Sequence, residues 1–307
     1  MYKENALAPV VLFVYNRADK AEKTINALKL NSLALETELF IFSDAAKSEK
    51  DFEDVSRVRK LIKQVDGFKL VSIIEQTQNK GLAASIIEGS TKIIERYGKI
   101  ITLEDDHVTS TDFLEYMNDA LDFYKDDKKI WSITGYTPEI KMPDNYKCDI
   151  YMLGRAHCWS VATWADRWKT VDWKISDYKS FCRNPIAVYR FCRFGNDLFL
   201  QLRANMQNKS KTWYVRWCYS QIKQKKLCVY PVKSKVNNIG LDGSGEHCLS
   251  DDFNKFSTER LSAQKVVFLK DLKENSTIRR NFSRLYGVDV FAVLRNKVRK
   301  FLKRIIK

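Results

Sequence analysis

The sequence predicts a doubly wound α/β sheet, and three observations predict it. Continuous apolar runs of strand length recur at residues 9–15, 39–42 and 70–74, and such runs suit strands buried on both faces. Segments with apolar residues three and four apart stand between them, the spacing of amphipathic helices. A further apolar run, Ile100, Ile101 and Leu103, ends in three consecutive acids, Glu104, Asp105 and Asp106. Charges do not stay in a sheet interior without partners, so the acids emerge at the strand's C-terminal end. In open α/β sheets that end is where ligands bind.

The elements follow in order. After the first strand comes Asn16-Arg17-Ala18-Asp19, then a helix with apolar positions Ala21, Ile25 and Leu28. The second strand ends at Ser43-Asp44, and Val55, Val58, Leu61, Ile62 and Val65 mark the next helix. The third strand leads to the loop Asn79-Lys80-Gly81-Leu82, which opens into a helix running to about Tyr97. Beyond the acids, Phe113, Met117, Leu121 and Tyr124 predict a helix starting near Thr111 or Asp112, and residues 130–134 a fifth strand. No GxGxxG spacing occurs, which argues against a dinucleotide site.

The second half changes character. Residues 137–149 read as a loop, and six of the chain's seven tryptophans follow: Trp159, Trp164, Trp168, Trp173, Trp213 and Trp217. Each suits either the core or a platform for a sugar ring. Residues 227–232 read as a late strand, and 238–247, with glycines 240, 243 and 245, as a mobile loop able to close over a substrate. Residues 256–288 look helical and highly charged.

Composition narrows the function classes. The chain has 307 residues, 45% of them hydrophobic, enough for a sizeable core. No apolar run is long enough to span a bilayer, and the first residues do not read as a signal peptide. A cytoplasmic location is expected. The seven cysteines form no CxxC pair and read as reduced, mostly buried thiols. The net charge of +15 favours anionic partners. Residues 291–307 hold Arg295, Lys297, Arg299, Lys300, Lys303, Arg304 and Lys307 without one acid. Their apolar residues recur every three or four positions, so the tail predicts a cationic amphipathic helix for an anionic membrane surface. Basic residues gathered in a tail rather than across a face argue against nucleic acid.

Arg17, Asp44, Asn79 and the acids all follow predicted strands, so one sheet edge collects them. Asp106 suits a hard divalent cation, Mn²⁺ or Mg²⁺, with Asp105 and Glu104 orienting a ribose or sugar. Arg17 suits a phosphate or a surface salt bridge. Asp44 suits a uracil N–H or a turn cap. His247, at the end of the glycine-rich loop, is a candidate to complete the metal shell.

These residues carry a family resemblance. Val14-Tyr-Asn-Arg17, Ser43-Asp44, Asn79-Lys-Gly-Leu-Ala83, Leu103-Glu-Asp-Asp106 with Ser110-Thr-Asp-Phe113, the Trp-rich segment Cys158–Trp168 and the loop Asn238–Cys248 resemble metal-dependent GT-A glycosyltransferases. The likeness is strongest to bacterial relatives of the N-acetylglucosaminyltransferase I group and covers about residues 8–250. It implies a GT-A mixed sheet flanked by helices over 1–250, with a nucleotide-binding half (8–135) and an acceptor half (136–250), while residues 251–307 read by their own pattern as a helical extension. It also implies a nucleotide-sugar donor, most simply UDP-linked, and a glycan or lipid-linked glycan acceptor in cell-surface polysaccharide synthesis. Carried over by position, Arg17, Asp44, Asn79, Gly81, Glu104, Asp105 and Trp159 would face the donor, and Asp106 and His247 the metal. The chain departs from its eukaryotic relatives in one respect. Where they place an aspartate base before a tryptophan, Arg216 precedes Trp217, and arginine stays protonated. Asp166, Asp197 and Asp242 are the remaining base candidates, with Asp242 preferred for its place on the loop and Arg216 assigned to the diphosphate leaving group.

Overall fold

The computed structural model describes residues 6–243, 256–258 and 261–288. Its centre is an eight-stranded sheet built from β1 (Val10–Val14), β2 (Glu38–Ser43), β3 (Leu70–Glu75), β4 (Lys99–Glu104), β6 (Ile130–Thr134), β7 (Ile150–Leu153), β8 (Val161–Trp164) and β9 (Leu227–Pro231), in the order β3-β2-β1-β4-β8-β6-β9-β7. β8 and β7 run against the other strands. A separate two-stranded ribbon pairs β5 (His107–Thr109) with β10 (Val236–Asn238).

The predicted apolar runs are strands because both their faces are covered. Val10, Leu12 and Val14 of β1 pack on one side with Ile25 and Leu28 of α1 (Ala18–Lys29), with α2 (Phe52–Ile62) and with α4 (Phe113–Phe123). Val11 and Phe13 pack on the other side with Ile86, Ile93 and Ile94 of α3 (Leu82–Tyr97). Each core side chain so buried contributes about 1.5–3 kcal/mol. Register then fixes the site. Leu12 lies beside Leu103 and Phe13 beside Glu104, while Val14 lies beside Ser43 and Ser43 beside Glu75. The loops after β1, β2, β3 and β4 therefore leave from one edge.

The tryptophan-rich half differs from its sequence reading. Residues 150–153 and 161–164 are short strands, too brief and too rich in aromatics to announce themselves by periodicity. Four small helices follow: α5 (Ala165–Trp168), α6 (Tyr178–Cys182), α7 (Pro185–Cys192) and α8 (Asp197–Met206), then α9 (Tyr214–Lys223). Trp168, Trp173 and Trp217 pack against one another, and Trp131 packs against Trp217; only Trp173 and Trp217 are stacked, the other pairs being tilted. Of the six clustered tryptophans, Trp173 alone is not buried.

The helix expected over 256–288 is confined to α10 (Ser276–Leu285) among the described residues. Residues 261–272 instead cross α4 in an irregular strap. Val266 and Phe268 turn inward while Val267 and Leu269 are exposed, a period of two that charge alone concealed. The Tyr124 hydroxyl donates to the Leu269 carbonyl at 2.8 Å and Lys235 Nζ to the Gln264 carbonyl at 2.7 Å. The expected buried thiols are only partly so. Cys218 and Cys228 are buried, whereas Cys182 is exposed. No helix among the described residues is long and apolar enough to cross a membrane. The basic tail, the 244–250 part of the glycine-rich loop and His247 lie outside the described residues.

Candidate functional site

The β1–α1 turn brings Arg17 onto the acids that follow β4. Its Nη2 pairs with Asp105 and, at 2.8 Å, with Asp106 Oδ2, while Nε reaches Asp105 Oδ2 at 3.3 Å. Asp105 and Asp106 are buried, and the Thr24 hydroxyl donates to the Asp105 carbonyl at 2.8 Å. This leaves three carboxyl groups around one guanidinium. Loss of solvent, reinforced by its two acidic neighbours, pushes the Glu104 carboxyl up to about 8. Burial raises Asp105 to about 6 although Arg17 opposes it. Burial works against the charge on Arg17, yet Asp105 and Asp106 outweigh it and raise its pKa.

Hydrogen bonding around the acids is incomplete. Asp106 Oδ1, Arg17 Nη1 and His107 Nε2 are buried without hydrogen-bond partners. His107 Nδ1 accepts the Glu104 N–H at 3.1 Å, so the neutral ring carries its proton on Nε2, 3.4 Å from Asp106 Oδ1. Burial, opposed by Asp106, lowers the imidazole to about 4 and keeps it neutral.

The start of the glycine-rich loop closes on the same acids. Asn238 pairs with His107 in the ribbon, and the Ile239 N–H donates to the Asp106 carbonyl at 2.9 Å. Gly240 follows, and a Cβ there would run into Asp106 Oδ2, so the position requires glycine. Asp242 pairs through both oxygens with the nearly buried Lys20 Nζ, at 2.7 and 2.8 Å.

Asp44 sits one strand away and holds backbone. Its carboxylate accepts the N–H groups of Ala45 and Lys80 at 2.9 Å and of Gly81 at 2.8 Å. Asn79 Nδ2 donates to the Ala45 carbonyl at 2.7 Å. Gly81 has a φ of +75° as it enters α3, which explains the glycine. The loops after β2 and β3 are thereby fixed to each other.

The structure thus brings together Arg17, Glu104, Asp105, Asp106 and Asp242, with Asp44, Asn79 and Gly81 bracing the neighbouring loops. Trp159 is 9% exposed and packs edge-on against Tyr136. Arg216 belongs to the helical layer, where Nε donates to Asn205 Oδ1 at 2.8 Å and Nη1 to the Trp173 carbonyl at 3.0 Å. Asp197 is held by Arg155, and Asp166 by Lys128 and Arg167. Lys20 and Thr24 were missed from sequence. Their signal was present: positions 17, 20 and 24 lie three and four apart on one helical face, the polar edge of the apolar stripe.

The acids supply the donor type of a divalent-cation site without, among the described residues, its assembled geometry. Their donors are oxygens, as a hard cation requires, Asp106 Oδ1 is buried and unpartnered, and the carboxyl groups outnumber the guanidinium. Arg17 now lies among them. No ready group of three or more ligating side chains occurs among the described residues.

The chain is therefore an α/β protein with an acidic sheet edge. No family model matches the chain, and no curated protein matches it. Among the solved structures that resemble parts of it are three glycosyltransferase-type examples. A mannosyltransferase from Pyrobaculum calidifontis in complex with GDP-Man and Mn²⁺ shares 12% identity, covering 53% of this chain and 46% of that one, with a TM-score of 0.36. TarS of S. aureus shares 16% identity over 45% of this chain and 22% of its own, with a TM-score of 0.30. An active-site mutant of LgtC shares 10% identity over 72% of each chain, with a TM-score of 0.38. The chain spans less than half the length of the first two. At these scores the likeness is partial and establishes neither family nor activity.

Proposed function

We propose that the chain is a GT-A-type glycosyltransferase that moves a sugar from a nucleotide-sugar donor, most simply UDP-linked, to a glycan or lipid-linked glycan in cell-surface polysaccharide synthesis. The observation that carries the reading is the underpartnered acid cluster at the end of β4, with Arg17 reaching it from the end of β1.

In this reading Asp106 holds Mn²⁺ or Mg²⁺ through its unpartnered oxygen, with His247 as a further ligand. A divalent cation, when bound, supplies positive charge to a diphosphate leaving group. Glu104 and Asp105 orient ribose and sugar hydroxyls. Arg17 exchanges its carboxylates for phosphate oxygens, which match its bidentate fork. Asp44, Asn79 and Gly81 hold the loops against which the base rests, and Trp159 backs the donor side from the core. Asp242 is the proposed base, and Lys20 Nζ holds it through both carboxylate oxygens. Arg216 remains proposed for the leaving group, although its engagement with Asn205 and Trp173 favours a structural part. The basic tail over 291–307 is proposed to hold the protein on the inner face of the cell membrane. Burial of the tryptophans weighs against a pure carbohydrate-binding module.

Calorimetric binding of UDP, with and without Mn²⁺, tests the reading on wild type and Asp106→Ala. Metal-dependent binding lost in the variant is the expected result. Failure of both UDP and GDP to bind with metal present would overturn it.

A further inference from the structure

Helices α6, α7 and α8 present an outward face that packs on nothing among the described residues. On α7, Ile186, Tyr189, Arg190 and the capping Arg193 follow the spacing of a single helical face. Ile186 is 62% and Tyr189 70% exposed, while Phe191 turns inward against Phe181 and Tyr219. On α8, Leu200 and Arg203 are exposed while Leu198 and Leu202 are buried. Apolar side chains therefore stand on both sides of these helices, with arginines among the outward ones.

The charge there is mostly positive. Residues 178–211 contain seven lysines and arginines and one carboxylate, Asp197. Arg155 takes both oxygens of that carboxylate at 2.8 Å. Glu274, which feels Arg193, pairs with Arg279. The cations of α7 and α8 thus face outward beside exposed isoleucine, tyrosine and leucine.

The chain also leaves the described fold at this surface. Asn196, between α7 and α8, donates to the Val288 carbonyl at 2.9 Å and accepts the Val288 N–H at 2.7 Å. The seven basic residues from Arg295 to Lys307 follow in sequence.

We infer that the outward face of α6–α8 docks on an anionic lipid bilayer. Anionic headgroups take the cations, and the interfacial zone takes Ile186, Tyr189 and Leu200. A nucleic acid would satisfy the arginines and leave the apolar side chains in water. The inference stands on α6–α8 and does not depend on the transferase reading.

The test is sedimentation of the full chain with phosphatidylcholine vesicles, with and without phosphatidylglycerol, and retention on heparin as a soluble polyanion. Wild type is expected to sediment with the anionic vesicles only, and less so at high salt. R190Q/R193Q, in a chain whose circular dichroism is unchanged, is expected to lower partitioning about tenfold or more. I186S/Y189S is expected to lower vesicle partitioning and leave heparin retention unchanged. Wild-type partitioning in both variants would overturn the inference. So would an I186S/Y189S chain that partitions normally while R190Q/R193Q loses both vesicles and heparin, since the face would then be a polyanion site.

Discussion

Two buried arginine–aspartate groups in this molecule are built from the same chemistry and finished differently. Arg155 is fully engaged. Nε donates to the Tyr214 hydroxyl at 2.8 Å, Nη1 to the Phe194 carbonyl at 3.0 Å, both terminal nitrogens reach Asp197, and the Tyr286 ring lies 4.1 Å from the guanidinium carbon. Arg17, by contrast, faces more carboxylates than it can neutralise and leaves Nη1 unpartnered. A closed group of this kind supports the fold. An open one stores unsatisfied bonding capacity that a ligand can use.

The largest expected effect would sharpen this contrast. Asp197→Ala strands the Arg155 charge in the interior and is expected to destabilise the fold by about 3–5 kcal/mol, read from urea unfolding. A loss under about 1 kcal/mol would make the Arg155 group as dispensable as a surface pair. Next is the pH dependence of the same region. Burial, reinforced by Arg155, holds the His157 imidazole neutral, well below its ordinary 6.5. The unfolded chain gains a proton as pH falls through that value and the fold does not, so stability is present above it and is lost below. The slope is at most about 1.4 kcal/mol per pH unit. His157→Gln is expected to flatten the urea-midpoint profile between neutral and mildly acidic pH, and an unchanged slope would assign the dependence elsewhere.

Smaller effects belong to the acidic edge. Asp44→Ala removes the acceptor of three backbone N–H groups and is expected to cost about 1–3 kcal/mol. Faster amide exchange at Lys80 and Gly81 would mark the loosened loop. Asp106→Asn is expected to shift stability by less than about 1 kcal/mol, because it relieves like-charge crowding as it weakens the Arg17 pair. If its unfolding midpoint falls as far as that of Asp197→Ala, the two groups are alike and the contrast fails.

Much of this was legible in the sequence, for reasons particular residues make plain. Val10–Val14 announces a strand because both its faces are buried, and Glu104–Asp106 announces the strand's end because charge cannot continue into the sheet. Arg17 and Asp44 were located by the same strand-end logic. What Asp44 does was not legible, because the backbone N–H groups it accepts belong to a loop remote in sequence. The strand at Val161–Trp164 stayed hidden because tryptophan and alanine carry no period over four residues. The strap over α4 looked helical because its charges masked the alternation of Val266 and Phe268. Lys20 escaped notice because its partner, Asp242, is brought to it only by the β5–β10 ribbon.

That ribbon also sets an order in time. His107–Thr109 must pair with Val236–Asn238, so the emerging chain carries its acids without their cover until the late strands arrive. At roughly 5–20 residues per second, a nascent chain spends several seconds with Asp106 open to ions and solvent. Three-residue strands also hold each other weakly, so the cover is expected to reopen in the finished protein at lower free energy than the sheet beneath it. The acids would then be reached by local opening of this ribbon, while β1 and β4 remain closed.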